Sequence, residues 1–479
     1  MISNASAFYS LLKSKFPFTP TSKQDMVLMQ LSQFIFDSNK NAIYLLKGYA
    51  GTGKTSIIGT VVSNLWHAKK SAVLLAPTGR AAKVISNYSK KEAFTIHKKI
   101  YFPKKEKGGG VNFVIQPNKH KNTLFIVDEA SMISDTPPDS KSFDSSSLLD
   151  DLISYVYSGQ NCKLLLIGDK AQLPPVKSDL SPALDENNLS LTYVKDVLGI
   201  ELDEVVRQEY DSGILSNATE LRAVLDSTIY ESFKFNLNGF TDSVRLIDGY
   251  EIMDAINDAY SENGYEETAI IVRSNKRANM YNQQIRQRIL FNESELSSGD
   301  YLMVVKNNYF WIKPNTEAGF IANGDIIEVL EIFSIKELYG FRFAEVKVRM
   351  VDYPQMKPFE TVLLLDTIEV ESASLSYEDS NRLYQEVSKD YADETKYKQF
   401  LGVKNNKFFN ALQVKFSYAI TCHKSQGGQW DTIFVEQPYL PNGMDRDYIR
   451  WLYTAITRAK NKLYLIGFKD DMFVDNETF

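Results

Sequence analysis

Short apolar runs alternate with longer mixed stretches over the first 180 or so residues of the chain. Four of these runs are rich in leucine or β-branched residues and end in glycine, proline or an acidic residue; they cover 42–48, 71–77, 123–129 and 163–169. Runs of this length without polar alternation are typical of strands buried on both faces, as in a parallel sheet covered by helices. This part of the chain is therefore predicted to be an α/β domain.

A second alternating region begins near residue 200, and its strand-like runs cover 268–274, 431–437 and 461–467. At 479 residues the chain is too long for one ordinary core, and its length suggests two to four domains. We therefore predict two α/β lobes, over 1–198 and 199–479.

Each lobe is predicted to carry an insertion where the alternation breaks. Two short strand-like runs surround a triple glycine and predict a small hairpin at about 101–122. In the second lobe, apolar runs followed by a charged, helical stretch predict a β-rich unit at about 326–404. The segment 134–147 is rich in Ser, Asp and Pro and is predicted to be a mobile surface loop.

Composition narrows the class of protein without deciding its function. The hydrophobic fraction of 44% and the charged fraction of 24% are typical of globular domains. No apolar run reaches the roughly 18 residues of a membrane span, and the N-terminus lacks the pattern of a secretory signal. Only two cysteines occur, Cys162 and Cys422, and we expect reduced thiols in a cytoplasmic protein.

The formal charge of −6 argues mildly against a nucleic-acid partner. A polyanion needs a local basic stripe rather than a basic total, however. The stretch 98–121 is rich in lysine and contains a single acid, Glu106. Such a stretch fits either a nucleic-acid contact or a solvated loop.

The clearest chemical motif is a phosphate-binding loop between a predicted strand and a predicted helix. Residues 48–55 match G-x-x-x-x-G-K-[ST], in which glycines let backbone N–H groups surround phosphates. Lys54 would reach the β- and γ-phosphates, and Thr55 would bind Mg²⁺. The predicted ATP contacts are Gly48, Ala50, Gly51, Thr52, Gly53, Lys54 and Thr55.

Two further strand ends extend this predicted Mg·ATP site. Asp128 follows the run 123–127 and would hold the metal, while the adjacent Glu129 would activate the attacking water. The alternative for this pair is two solvated acids. Gln172, after the run 163–167, would contact the γ-phosphate, although taken alone it belongs to a proline-rich turn.

With these elements in order, the chain resembles superfamily 1 helicases, specifically the RecD-like branch that includes phage Dda-type helicases. The resemblance extends over about 18–467 and implies two RecA-like P-loop lobes, with an SH3-like unit as the second insertion. It also implies that Gln24 reads adenine and that Gly428 contacts the nucleotide. Arg207, in LDEVVRQ, and Arg458, in YTAITRA, would be arginine fingers donated by the second lobe.

The resemblance also predicts a path for a single strand of DNA. Short polar residues near strand ends would bind phosphate and sugar without reading sequence. The predicted strand contacts are Pro77, Thr78, Thr95, His97, Thr421, His423, Lys424, Ser425 and Gln426. The hairpin aromatics Tyr101, Phe102 and Phe113 would either stack on the first base pair of a duplex or stabilise the hairpin itself.

The expected function is that of an ATP- and Mg²⁺-dependent DNA helicase that moves 5′ to 3′ in replication, repair or recombination. Its expected partners are single-stranded DNA and duplex junctions, with no membrane. It is expected to act as a monomer, with accessory replication or repair proteins as further candidates. Two alternatives stay open, namely a helicase directed at RNA and a catalytically silent, helicase-like binding protein.

Overall fold

The computed structural model describes residues 2–105, 111–136, 146–176, 178–204, 212–227, 229–313, 316 and 318–474. The helices are, in chain order, α1 (Ala5–Lys15), α2 (Ser22–Phe36), α3 (Lys54–Asn64), α4 (Gly79–Ser89), α5 (Ile96–Ile100), α6 (Leu148–Ser158), α7 (Glu186–Leu191), α8 (Gly213–Ser227), α9 (Gly249–Asn263), α10 (Asn275–Arg288), α11 (Asp366–Glu369), α12 (Tyr377–Lys389), α13 (Lys396–Asn405), α14 (Cys422–Ser425) and α15 (Arg446–Ile456). The strands are β1 (Ala42–Gly48), β2 (Ser71–Ala76), β3 (Ala93–Thr95), β4 (Tyr101–Lys105), β5 (Val111–Ile115), β6 (Thr123–Val127), β7 (Lys163–Gly168), β8 (Asp196–Leu202), β9 (Ser243–Leu246), β10 (Thr268–Val272), β11 (Tyr301–Val304), β12 (Ile326–Leu338), β13 (Phe341–Met350), β14 (Phe359–Leu364), β15 (Leu412–Phe416), β16 (Ala419–Thr421), β17 (Trp430–Glu436) and β18 (Ala459–Ile466).

The first lobe is built on a parallel sheet with the strand order β3-β2-β6-β7-β1-β8. Successive residues of β1 face opposite layers of the core. Tyr44 and Leu46 pack with α1, α2 and α3, whereas Ile43 and Leu45 pack with α5 and α6. Burial on both faces is the reason that these strands have no polar alternation in the sequence.

The second lobe contains another parallel sheet, with the strand order β16-β10-β17-β18-β9. Alternate residues of β10 again face two cores, Ile271 on the side of α15 and Ile270 on the side of α9 and α10. The predicted fold class of two parallel-sheet lobes is confirmed.

The β-rich insertion is a closed barrel of five strands, β11 to β15. Its first and last strands, 301–304 and 412–416, lie outside the predicted range 326–404 and pair with each other. Closure removes exposed strand edges, and it requires strands from both sides of the inserted segment. The charged stretch forms α12 and α13, which pack through Leu383, Val387 and Val403 against apolar residues of the barrel.

The predicted hairpin is present, since β4 and β5 form an antiparallel pair with Tyr101 opposite Ile115. Its turn and most of the polar loop 134–147 lie outside the described residues. The predicted lobe boundary at 198/199 falls within β8, whose pairing with β1 continues to Leu202. We therefore propose that the boundary lies after Leu202.

Among the described residues, no helix combines the length and the apolarity that a membrane crossing requires. Both cysteines, Cys162 and Cys422, are buried free thiols.

Candidate ATP site and nucleic-acid interface

A cleft of about 690 Å³ lies where the two lobes meet. The first lobe contributes the loop between β1 and α3, together with Asp128, Glu129 and Gln172, and the second lobe contributes Thr457 and Arg458. This volume is within the usual range of small-molecule sites. The cleft is therefore large enough for a nucleotide held by both lobes.

The loop after β1 has the backbone that phosphate binding needs. Gly51 and Gly53 have φ angles of 77° and 83°, in the left-handed region that favours glycine. Lys54, the first residue of α3, donates from Nζ to the carbonyls of Gly48 and Tyr49, at 2.6 Å each. Burial lowers the pKa of Lys54, while nearby carboxylates oppose this shift. The cation is thus held inside the loop, where phosphate oxygens would compete for it.

Gln24, the predicted adenine reader, is buried against the same loop. Its amide nitrogen donates to the carbonyl of Thr52 at 2.9 Å, and its amide oxygen accepts from the backbone N–H of Thr21 at 3.0 Å. The second of these hydrogen bonds belongs to the capping box of α2. Gln24 therefore lines the cleft with its orientation fixed by the loop and the helix.

The two acids at the end of β6 lie in this cleft. Asp128 Oδ1 accepts from the backbone N–H of Glu129 at 2.9 Å, and Asp128 Oδ2 accepts from the phenol of Tyr88 at 2.7 Å. Burial raises the pKa of Tyr88 far above its ordinary value, with the charge of Asp128 acting in the same direction, so the phenol stays a donor. Glu129 has a φ of 52°, a left-handed conformation that is uncommon for a residue with a side chain.

Arg458, from the turn between α15 and β18, approaches Glu129 from the other lobe. Its Nη1 lies 3.7 Å from Glu129 Oε1, and its side chain is 4% exposed. It also donates to the carbonyls of Thr454 and Gly428, at 3.0 and 3.3 Å. Burial raises the pKa of Glu129, while the guanidinium of Arg458 acts in the opposite direction. A carboxylate with a raised pKa suits proton transfer at neutral pH.

The structure therefore brings Lys54, Thr55, Asp128, Glu129 and Arg458 to one cleft. The other predicted ATP-site residues do not all line this cleft. Gln172 lines the cleft, and its amide oxygen has no hydrogen-bond partner among the described residues. Gly428 accepts from Arg458 rather than lining the cleft, which Gly427 and Gln429 do on either side of it. Arg207 lies outside the described residues.

Sequence reasoning did not single out the hydrogen bonds that join the lobes. The phenol of Tyr453, on α15, donates to Asp169 Oδ2 at 2.5 Å and accepts from the backbone N–H of Ala50 at 3.0 Å. At the next residue of α15, Thr454 Oγ1 accepts from the backbone N–H of Leu173 in the first lobe at 2.9 Å. Tyr453 stands in the motif that contains Arg458, and that position was the only signal for it.

Three of the predicted strand contacts are instead engaged inside the protein. Thr95 caps α5 by accepting from the N–H of Lys98 at 3.2 Å. Ser425 is 0% exposed and donates to the carbonyl of Cys422, while Gln426 donates to the carbonyl of Leu173 in the other lobe at 2.7 Å. In this arrangement these groups stabilise local structure or the lobe contact and present no donor at the surface.

The remaining predicted strand contacts are closer to the surface. Thr78 caps α4, next to the half-buried Pro77. Thr421 is half-buried, whereas His423, two residues later, is exposed. The ammonium of Lys424 donates to Asn323 Oδ1. Burial lowers the pKa of Lys424 to about 8.

At the hairpin, Phe102 is 56% exposed, whereas the half-buried Tyr101 donates to Asp151 Oδ2 at 2.6 Å. His97 packs on the ring of Tyr101, with the ring centroids 5.6 Å apart. The side chain of Phe113 lies outside the described residues. Phe102 is therefore the more exposed of the two hairpin aromatics whose side chains the structure describes.

A phosphate-binding loop on one parallel sheet, facing an arginine from a second one, is the arrangement of a two-lobed P-loop nucleoside triphosphatase. A family model described as an AAA domain matches residues 32–178, and one described as a UvrD-like helicase C-terminal domain matches 416–466.

Three relatives extend these two matches. The ATP-dependent DNA helicase dda of Enterobacteria phage T4 is 24% identical over 88% of this chain and 93% of its own length. An uncharacterized protein of Acanthamoeba polyphaga mimivirus is 24% identical over 92% of this chain and 98% of its own length. The ATP-dependent RecD2 DNA helicase of Deinococcus radiodurans is 30% identical over 37% of this chain and 21% of its own length.

Among solved structures, a Pif1 helicase from Bacteroides in complex with ADP-AlF3 and ssDNA aligns over 95% of this chain and 94% of its own, at 15% identity and a TM-score of 0.42. Together, the two family models and the Dda and RecD2 relatives support a superfamily 1 helicase of the Dda- and RecD-like type, and with it an ATP-hydrolysing enzyme.

Proposed function

We propose that this protein is a DNA helicase that uses ATP and Mg²⁺ to move 5′ to 3′ along single-stranded DNA and to unwind duplexes in replication, repair or recombination. The observation that carries the proposal is the shared cleft, in which Arg458 of one lobe lies 3.7 Å from Glu129 of the other. The relatives named as DNA helicases support DNA over RNA, and the direction of movement rests on the same resemblance.

The residues of the cleft fit a magnesium ion. Thr55 offers a hydroxyl and Asp128 a carboxylate, which are the hard oxygen donors that Mg²⁺ prefers. No group of three acidic, histidine or cysteine side chains forms a complete metal cage in the described part of the chain. Mg²⁺ needs none, because it is usually held by one or two carboxylates together with substrate phosphates and water. When bound, it would neutralise charge on the β- and γ-phosphates.

In the proposed reaction, each cleft residue has a separate task. Lys54 exchanges its loop carbonyls for phosphate oxygens, and Glu129 orients the attacking water and accepts its proton. Arg458 stabilises the charge on the transferred phosphoryl group, and Arg207 is proposed as a second finger by resemblance. Gln24 would hold the adenine, and Gln172 would sense the γ-phosphate.

Hydrolysis becomes movement if the lobes alternate between a closed and an open state. Arg458 reaches the phosphates only while the lobes are closed, so the nucleotide biases a two-state element. Strand contacts on both lobes, at Thr78 on one and His423 and Lys424 on the other, would then tighten and loosen in turn. Phe102 at the hairpin would meet the duplex junction. We expect a monomeric motor, with replication or repair proteins as accessory partners.

Three experiments test this proposal. Lys54→Ala should abolish DNA-stimulated ATP hydrolysis while single-stranded DNA binding persists, and Lys40→Ala, at an exposed lysine of the same lobe, should leave both intact. Normal turnover by Lys54→Ala would remove the assigned site. Unwinding of duplexes with a 5′ or a 3′ tail should occur only with the 5′ tail. Stronger ATPase stimulation by RNA than by matched DNA would favour the RNA-directed alternative.

A further inference from the structure

The carboxylate of Asp128 is oriented by two donors, one on each oxygen atom. The backbone N–H of Glu129 fixes Oδ1 at 2.9 Å, and the phenol of Tyr88 fixes Oδ2 at 2.7 Å. The first donor belongs to the same strand end and moves with Asp128. The second is a side chain from a different element, the last turn of α4, and it also lines the ATP cleft. Tyr88 therefore connects the orientation of Asp128 to the position of α4.

The opposite end of α4 is the place where a DNA strand is proposed to bind. Thr78 caps this end of the helix by accepting from the N–H of Ala81 at 3.2 Å. Tyr88 lies ten positions after Thr78, which corresponds to ~15 Å at 1.5 Å per helical residue. A movement of the strand contact would therefore reach Tyr88 through one rigid helix.

The same end of α4 also contacts the second lobe and the barrel. A Cβ atom on Gly427 would lie 2.7 Å from Ala81 Cβ and 3.1 Å from Thr78 Oγ1, so the second lobe touches the helix cap closely. A Cβ atom on Gly79 would lie 2.7 Å from Asp325 Oδ1, at the start of the barrel strand β12. The position of α4 is thus set jointly by the second lobe and the barrel, at the end of the helix where the DNA strand is proposed to bind.

We propose that Tyr88 is a positioning residue that couples these contacts at the start of α4 to the metal-holding carboxylate of Asp128. Carboxylates that bind metals are generally held by further hydrogen bonds, and loss of such a bond typically lowers metal affinity about 10- to 100-fold. When DNA binds at the start of α4, it holds the helix in place. The phenol of Tyr88 then stays hydrogen-bonded to Asp128 Oδ2, and the carboxylate stays oriented toward the metal. This inference rests on the proposed function and adds a route by which DNA stimulates hydrolysis.

The test is Tyr88→Phe, which removes the hydroxyl and keeps the ring that packs on the first-lobe core. Binding of a fluorescent ADP analogue is titrated with Mg²⁺, with and without single-stranded DNA, and in EDTA. We expect the Mg²⁺ concentration for half-maximal effect to rise about 10- to 100-fold in the variant. Binding in EDTA should not change, and DNA should lower the Mg²⁺ requirement only in the unsubstituted protein.

Two further variants separate positioning from packing. Tyr193→Phe removes a phenol that donates to Asp150 Oδ1 at 2.7 Å, a similar hydrogen bond remote from the cleft, and should change nothing. Asp128→Asn should weaken Mg²⁺-dependent binding, and adding Tyr88→Phe to it should cause no further loss, because both act through one group.

The possible results have distinct meanings. Unchanged Mg²⁺ dependence in Tyr88→Phe would overturn the inference, as would an equal loss of binding with Mg²⁺ and in EDTA, which would indicate packing alone. If the unsubstituted protein bound the nucleotide with no Mg²⁺ dependence at all, the proposed function would fail and the inference with it.

Discussion

Replacing Tyr453 with phenylalanine removes one oxygen atom from a junction of three elements. That oxygen donates to Asp169 Oδ2, at the end of β7, and accepts from the N–H of Ala50 in the phosphate-binding loop. Both partners belong to the first lobe, whereas Tyr453 is a fully buried residue of α15 in the second. The substitution therefore weakens the contact between the lobes and leaves each lobe's own core almost unchanged.

The size of the effect follows from the charge of the acceptor. A hydrogen bond to a charged group contributes about 1.5–3 kcal/mol, and the unpaired N–H of Ala50 adds to the loss only while the lobes stay closed. Since about 1.4 kcal/mol corresponds to a factor of ten, the equilibrium between closed and open lobes should shift about 10- to 100-fold. If turnover occurs only in the closed state, kcat for DNA-stimulated ATP hydrolysis should fall by up to that factor.

The matched control is Tyr448→Phe. Tyr448 is also fully buried on α15, but its phenol donates to Gln437 Oε1 at 2.6 Å, within the second lobe. Thermal unfolding should show a comparable small loss for both variants, while steady-state ATPase assays should show the large loss of kcat only for Tyr453→Phe. A kcat within twofold of the unsubstituted protein for both variants would refute the link between this contact and turnover.

Two further predictions concern the faces that pack on α4. Burial raises the pKa of Asp325 from 3.8 to about 8, so the folded protein binds more protons than the unfolded chain between these values and its stability should fall as pH rises through this window. Asp325→Asn should remove that fall in stability. Urea unfolding should give similar stabilities for the two proteins at about pH 4 and a more stable variant at about pH 9. Stabilities that depend on pH in the same way in both proteins would contradict the assignment. Gly427→Ala places a methyl group 2.7 Å from Ala81 at a φ of 74°, whereas Gly467→Ala, at a φ of 72°, meets nothing within 4 Å. Both variants should lose ~1–2 kcal/mol of unfolding free energy through backbone strain. Only Gly427→Ala should also slow DNA-stimulated ATP hydrolysis. Equal ATPase rates in the two variants would show that the close approach of Gly427 to Ala81 does not matter.

Local features of the sequence sufficed for the parallel sheets and for the position of the phosphate-binding loop. Buried strands such as β1 lack polar alternation because helices cover both faces, and the loop requires glycine at positive φ. Both features depend on only a few consecutive residues. The fold class could therefore be predicted before any tertiary contact was known.

Long-range pairing could not be predicted in the same way. The barrel strand β11 has four residues and β15 has five, and nothing in either run indicates that they pair with each other across a hundred residues of intervening chain. Tyr88 and Tyr453 are ordinary aromatic residues in helices, and their importance comes only from the acids that meet them.

Motif resemblance also treats neighbouring polar residues alike, although the fold does not. His423 and Ser425 stand two positions apart in one motif, yet His423 is exposed and Ser425 is fully buried. The short helix α14 turns one side chain outward and the other toward the carbonyl of Cys422. Burial, which depends on the packing of the whole lobe, decides which of them a DNA strand could reach.

The measurement that tests the shared ATP site most directly compares Arg458→Ala with the unsubstituted protein at saturating single-stranded DNA. We predict that the maximal rate of ATP hydrolysis falls by about 10³- to 10⁵-fold, the usual contribution of an arginine finger, while nucleotide affinity changes far less. Arg446→Ala, at an exposed arginine of α15, should keep the full rate. An unchanged maximal rate in Arg458→Ala would contradict an ATP site completed by the second lobe.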